Sequence, residues 1–247
     1  MRGPKDSIFS CADYTIPDKR HDYWIETVAP ALPDGPRFHL STRWFTEWTT
    51  FFYGTPDGFI SRWISANAKP DWIAVDVGMN FAFFSCFLAQ RCFQVHGFEP
   101  VPWLADRAEA NVNLNKFANV FLNRIALSNQ IGEAELHLPS SADANWGKSS
   151  LLRELASNTT HLRVPTDTLD HYVQTANLPR LDFIKIDVEG AEHLVLQGSR
   201  NSLERLRPAA IFERNDDSFA ACRDVLFGRV FRVQGRWKYI ADEFGFR

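Results

Sequence analysis

An apolar run, Trp72-Ile73-Ala74-Val75, leads into Asp76-Val77-Gly78-Met79-Asn80, and 23 positions after Asp76 a second apolar run closes on Glu99. A glycine at a strand end lets a ligand approach backbone that a β-carbon would screen. An acid ending the next strand can accept hydrogen bonds from both hydroxyls of a ribose. Together these residues read as a nucleoside pocket. It is not a pyrophosphate cradle, because G-x-G-x-x-G is missing and Asp76 would repel a diphosphate. A carboxylate there suits a cofactor with ammonium and sulfonium charge, worth roughly a few kcal/mol of attraction in a partly desolvated cleft. S-adenosylmethionine carries both charges, and Asn80 can hold the turn or contact its amino-acid end. The plainer readings are a strand-end turn in which Asp76 and Asn80 cap a helix, and Glu99 as a helix N-terminal charge just ahead of Pro100 and Pro102. The placement of Glu99 after an apolar strand favours the ribose role.

A second cluster, Lys185-Ile186-Asp187-Val188-Glu189-Gly190-Ala191-Glu192, ends another apolar run. Lys185, Asp187 and Glu189 alternate, so extended backbone would place them on one face. Strand ends of this kind are where open α/β sheets bind ligands. Charges so close to a buried strand need partners or solvent. The structural account pairs Lys185 with Asp187 or Glu213 and sets Glu189 or Glu192 at a helix start. The chemical account has a carboxylate take the proton of an attacking hydroxyl. Asp187 is the first candidate for that base, with Glu189, Glu213, Lys185 and His193 as alternatives. Asp187 and Glu189 could instead hold a divalent cation beside the substrate.

Those groups need elements to hold them. Strands are predicted at 71–77, Val95–Glu99, Val120–Asn123, Ala134–Leu138, Phe183–Asp187 and Ala209–Glu213. Helices are predicted at Phe81–Gln90, Trp103–Leu114, Thr168–Ala176 and Ala191–Arg205. Their alternation implies a parallel sheet. The tail, Val230–Val233 and Trp237–Ile240, reads as a closing antiparallel hairpin. Residues 1 to about 36 show no periodicity and read as an irregular arm. Between Ser41 and Asn67, Trp44, Phe45, Trp48, Phe51 and Phe52, then Phe59, Ile60, Trp63 and Ile64, recur at helical spacing around Thr55-Pro56-Asp57-Gly58. They predict a helical cap on the sheet, its aromatics mostly core.

The 247 residues suit one large α/β domain behind a short N-terminal unit. With 27 basic and 30 acidic residues the net charge is −3, which argues against an extended nucleic-acid surface. Cys11, Cys86, Cys92 and Cys222 form no C-x-x-C pair and no zinc spacing. The first residues lack the apolar stretch of a signal peptide, and no apolar run is long enough to span a bilayer. The expectation is a soluble, cytoplasmic protein without membrane insertion.

From about Trp72 to Glu213 the chain resembles the FkbM family of S-adenosylmethionine-dependent methyltransferases. The matching strings are Val75 through Asn80, Gly97-Phe98-Glu99-Pro100, Asn113-Leu114-Asn115, Ala126-Leu127-Ser128, Thr168-Leu169-Asp170, Ile184 through Glu192 and Arg207-Pro208. The resemblance implies a Rossmann-like class I methyltransferase, α/β, with a mainly parallel seven-stranded sheet, a C-terminal antiparallel hairpin and an N-terminal helical cap. Residues 1–68 would be arm and cap, and 69–247 the methyltransferase domain. It implies cofactor roles for Asp76, Gly78, Asn80 and Glu99 with Pro100, and places Ala126 and Leu127 beside the adenine. It further implies O-methylation of a sugar, glycan or polyketide hydroxyl in secondary metabolism or glycan modification. Ser149 and Ser150 would lie near the acceptor, in a loop whose Trp146 could stack on a sugar face.

One departure stands out. The family usually has a small residue, Asn, a variable residue and Gly, where this chain has Met79-Asn80-Phe81-Ala82. Ala82 is harmless in a helical first turn if its φ is negative, but with the bulky Met79 and Phe81 it narrows the approach to the backbone. A binding-only protein is therefore one alternative. An RNA methyltransferase is a second, weakened by the lack of basic clustering. A nicotinamide-dependent dehydrogenase is a third, weakened by the missing glycine fingerprint.

Overall fold

The computed structural model describes residues 25–31, 34–138, 151, 160–213, 222, 231–234 and 237–240. In chain order the first elements are β1 (Glu26–Pro30), β2 (Arg37–Ser41), α1 (Phe45–Tyr53) and α2 (Gly58–Asn67). Then come β3 (Ile73–Val77), α3 (Phe83–Ala89), β4 (Gln94–Phe98), α4 (Pro102–Leu114) and β5 (Val120–Asn123). The second half holds β6 (Ala126–Leu127), β7 (Gly132–Leu138), β8 (Thr160–Asp167), α5 (Leu169–Thr175) and β9 (Phe183–Ile186). It closes with α6 (Glu192–Gln197), α7 (Arg200–Leu206), β10 (Ala209–Glu213), β11 (Phe231–Gln234) and β12 (Trp237–Ile240).

The main sheet runs β11-β12-β10-β9-β3-β4-β5. Strands β10, β9, β3, β4 and β5 are parallel, and β12 joins β10 antiparallel. The chain leaves β3 toward β4 and β5, then returns to β9 on the other side of β3. The strand order therefore reverses between β3 and β9, and a crevice opens at their C-terminal ends. Every residue of β3 and β9 is buried, as expected for central strands covered on both faces. Helix α3 is likewise buried all round.

Three sequence expectations change. The stretch from Ala134 to Leu138 does not join the main sheet. It pairs antiparallel with β8, which carries the short β6 on its other edge, and Leu136, Leu138 and Val164 pack against Val101, Leu104 and Ala126. The helix expected over Ala191–Arg205 is two. Gly198 ends α6 where a β-carbon would lie 2.0 Å from the Ser128 carbonyl oxygen. The Asp170 carboxylate then accepts from the N–H groups of Asn201 and Ser202 at 3.0 and 2.7 Å, starting α7 afresh. Part of the expected irregular arm is a β1–β2 hairpin. In β2, Phe38 and Leu40 alternate with Arg37 and His39 and are buried in the core, but one five-residue run is too short to announce a hairpin.

The two cap helices form where expected. Asp57 starts α2 by accepting from the N–H groups of Phe59 and Ile60 at 2.8 and 3.1 Å. Trp63 stacks on Phe183, the first residue of β9, with centroids 4.8 Å apart. Among the described residues no helix is long and apolar enough to cross a membrane.

The turn after β3 departs most from expectation. Ala82 has φ +70°, not a negative value, and is fully buried. An L-residue in that region costs roughly 1–2 kcal/mol that glycine avoids. Ala82→Gly should therefore leave stability unchanged or raise it by up to about 1 kcal/mol, where an ordinary helical alanine would lose a similar amount. Urea denaturation decides it, and a loss above about 1 kcal/mol would mean that the buried methyl outweighs the backbone.

Candidate functional site

The site starts with the turn leaving β3. The N–H groups of Gly78 and Met79 donate to the Phe98 carbonyl at 3.1 and 2.9 Å, which ties the turn to the end of β4. Gly78 has φ +75°, and a β-carbon on it would lie 1.9 Å from the Asp187 carbonyl oxygen. Only glycine permits that approach, and it brings the two sequence clusters together. The bulky neighbours point elsewhere. Met79 lies over Gly97, where a β-carbon would fall 2.3 Å from its Sδ. Phe81 packs on Phe38 and Phe83 in the core. Neither lines the cavity, so they do not narrow it.

Glu99 serves both of its sequence readings. One carboxylate oxygen accepts from the Asn80 N–H at 2.8 Å, and the other from the Val101 N–H at 3.0 Å, at the cap of α4. Each oxygen keeps a lone pair for a ligand. Burial pushes its pKa up to about 7, against the opposing pull of those two N–H groups.

Asp76 is fully buried and does not line the cavity. The parallel register sets it beside Lys185 on β9. One of its oxygens accepts from the Ser85 hydroxyl at 2.7 Å, and the other lies 3.2 Å from Lys185 Nζ. The charge that the sequence reading offered to a cofactor is thus answered from within. Lys185 also donates to the Gly78 carbonyl at 2.9 Å and sits 3.7 Å from an Asp187 oxygen. Burial alone would lower its pKa, but Asp76 and Asp187 outweigh it and the net shift is upward.

Gly78, Asn80, Glu99, Pro100, Asp187 and Glu189 all line one cavity. Ala126 and Leu127 belong to the apolar part of its lining. Leu104, Leu136 and Leu151 complete that part and were not foreseen. The spacing of Val101 and Leu104 could have flagged the α4 contribution. Leu136 depends on the second sheet, which the sequence does not announce.

Asp187, Glu189 and Glu213 bring carboxylate oxygens within 4.8 Å of one another. Lys185 and Asp187 do share a face, but Glu189 arrives by a turn with φ +52° beyond the end of β9. Such a trio can take a proton or offer oxygen ligands to a hard cation. Glu192 belongs to the scaffold: fully buried, it accepts from the N–H groups of Val188 and Gly190, both at 3.1 Å. His193 on α6 lies outside the cavity lining. Trp146, Ser149 and Ser150 fall outside the described residues.

The 2-O-methyltransferase NoeI of Sinorhizobium fredii is 29% identical over 158 residues, covering 58% of this chain and 64% of that protein. The hexuronic acid methyltransferase AglP of Haloferax volcanii is 28% identical over 145 residues, covering 59% and 57%. The chain thus spans about three-fifths of the length of these relatives. Among solved structures, the methyltransferase FkbM from Methylobacillus flagellatus superposes with a TM-score of 0.48 at 13% identity, covering 80% of this chain and 55% of that one. The family model described as the methyltransferase FkbM domain matches residues 76–235, from the buried acid of β3 into the closing hairpin. By that match, which takes in every residue that lines the cavity, the chain belongs to the FkbM methyltransferase family.

Proposed function

We propose that the protein transfers the methyl group of S-adenosylmethionine to a hydroxyl oxygen of a sugar or related small acceptor. The observation that carries this reading is one cavity at the strand-order reversal, lined by Glu99 together with Asp187 and Glu189. The residues fit the cofactor. Glu99 has lone pairs to spare for a ribose, and the apolar part around Ala126, Leu127 and Leu136 suits a purine. The named activities of the two relatives, a 2-O-methyltransferase and a hexuronic acid methyltransferase, support a sugar hydroxyl as acceptor.

The bound cofactor supplies an electrophilic methyl on a sulfonium, and the chain's own work is alignment and proton removal. Gly78 and Asn80 would position the cofactor through the turn. Asp187 would accept the hydroxyl proton as the oxygen–carbon bond forms and the carbon–sulfur bond breaks, leaving a methyl ether and a neutral thioether. Met79 and Phe81 are core residues outside the cavity lining, so of the departure behind the binding-only alternative only Ala82, at φ +70°, is left.

Calorimetric titration with S-adenosylmethionine tests the reading first. One-site binding that is lost in Glu99→Ala, followed by methylation of a sugar hydroxyl, is the expected result. No binding at millimolar cofactor would overturn it.

The affinity should also depend on pH in a defined direction. A ribose donates to the ionised Glu99 carboxylate, and the free protein's carboxyl titrates at about 7. Lowering the pH through that value protonates the acceptor, so wild-type affinity should fall about tenfold from pH 8 to pH 6 relative to Glu99→Gln. Taking the ratio cancels titration of the cofactor's own groups. A ratio that stays flat across this range would remove Glu99 from the ribose site.

A further inference from the structure

We propose that Asn111 is a positioning residue for the cofactor turn, joining it to the N-terminal hairpin through a single carboxamide. This rests on the reading of residues 78–82 as the S-adenosylmethionine turn. Asn111 lies on α4 and is fully buried. Its Nδ2 donates to the Phe81 carbonyl at 2.8 Å, and its Oδ1 accepts from the His39 N–H on β2, also at 2.8 Å. The site thus presents one backbone acceptor and one backbone donor, a pair that a carboxamide satisfies and a carboxylate or aliphatic chain does not.

The Phe81 peptide needs such a hold. Asn80 and Ala82, on either side of it, have φ of +52° and +70°, conformations that non-glycine residues keep only when their surroundings fix them. The Phe81 N–H is taken by Asn80 Oδ1 at 2.8 Å, and the Asn80 N–H by Glu99 at 2.8 Å. A continuous chain of hydrogen bonds therefore runs from Asn111 through Phe81 and Asn80 to Glu99 in the cavity wall. The hairpin backs the same point, because Phe38 stacks on Phe83 at 5.2 Å and meets Phe81 edge-on at 5.8 Å. One helical turn on, Asn115 accepts from the Arg37 N–H at 2.8 Å and donates to the Arg37 carbonyl at 2.7 Å. Asn115 holds the same strand without touching the turn, which makes it the natural control.

The test is calorimetric titration of the full chain with S-adenosylmethionine, for wild type, Asn111→Asp and Asn115→Ala. Asn111→Asp keeps the acceptor for His39 and loses the donor to Phe81. It should raise Kd at least tenfold while the stoichiometry stays near one site per chain, and Asn115→Ala should stay within about twofold of wild type. If Asn111→Asp does not fold, Asn111→Ser, which adds no charge and is too short for either bond, takes its place. Unchanged Kd with reduced stoichiometry would reduce Asn111 to a folding residue and overturn the proposal, as would equal losses in the Asn111 and Asn115 variants. Wild type that binds no cofactor would overturn the reading of the turn itself. Wild type that binds while the Asn111 variant binds equally well would overturn only the positioning role.

Discussion

Lys185→Met should destabilise the fold by about 3–5 kcal/mol, because it strips the only cation seen beside a fully buried carboxylate among the described residues. Asp76 would keep the Ser85 hydroxyl at 2.7 Å and lose the ammonium at 3.2 Å. The Gly78 carbonyl would lose its donor as well. The penalty comes from the unanswered charge rather than from the lost bond, and this can be checked directly. Asp76→Asn combined with Lys185→Met removes both charges at nearly constant volume and should recover most of the loss, since a buried pair contributes little over neutral packing. Urea midpoints of the two single variants and the double variant measure it. If Lys185→Met cost less than about 1 kcal/mol, Asp76 would have to be neutral in the fold.

Asp187→Asn should lower kcat by about 10²–10⁴-fold, the range ascribed to a positioned general base. The substitution preserves shape, and the Asp187 N–H still donates to the Val77 carbonyl at 3.1 Å, so the strand end should stay in place. Cofactor Kd should remain within about threefold of wild type, since Glu99, the proposed ribose acceptor, is untouched. Turnover near the wild-type rate would pass the proton to Glu189 or Glu213, whose carboxylates lie within 4.8 Å of this one. Measuring kcat and Kd on the same preparations separates loss of chemistry from loss of binding.

Asn111 and Lys185 support the cavity from opposite sides of one turn. Lys185 fixes the carbonyl of Gly78, and Asn111 that of Phe81. A turn with three positive φ values at Gly78, Asn80 and Ala82 is thus held at both ends by buried side chains from other elements. This arrangement accommodates Met79 and Phe81 without loss of the cavity. One fills the space above Gly97, and the other joins the aromatic packing under the hairpin.

The sequence by itself determined the strand–turn–helix unit around Gly78, the acid at the end of β4, and the carboxylates at the end of β9. Each is written in a few neighbouring residues as an apolar run, a breaker and a charge, and local periodicity reports burial directly. It also determined the order of the parallel elements, through the alternation of strand and helix patterns. Only the tertiary structure decided where the charges go. Asp76 and Lys185 are 109 positions apart and meet because the register of β3 against β9 makes them neighbours. The β1–β2 hairpin, the β6–β8–β7 sheet and the break at Gly198 were likewise decided by pairing and close approach between distant segments. The sign of φ at Ala82 belongs with them. Its backbone is fixed by packing and by hydrogen bonds from other elements, and no pattern within the segment encodes such constraints.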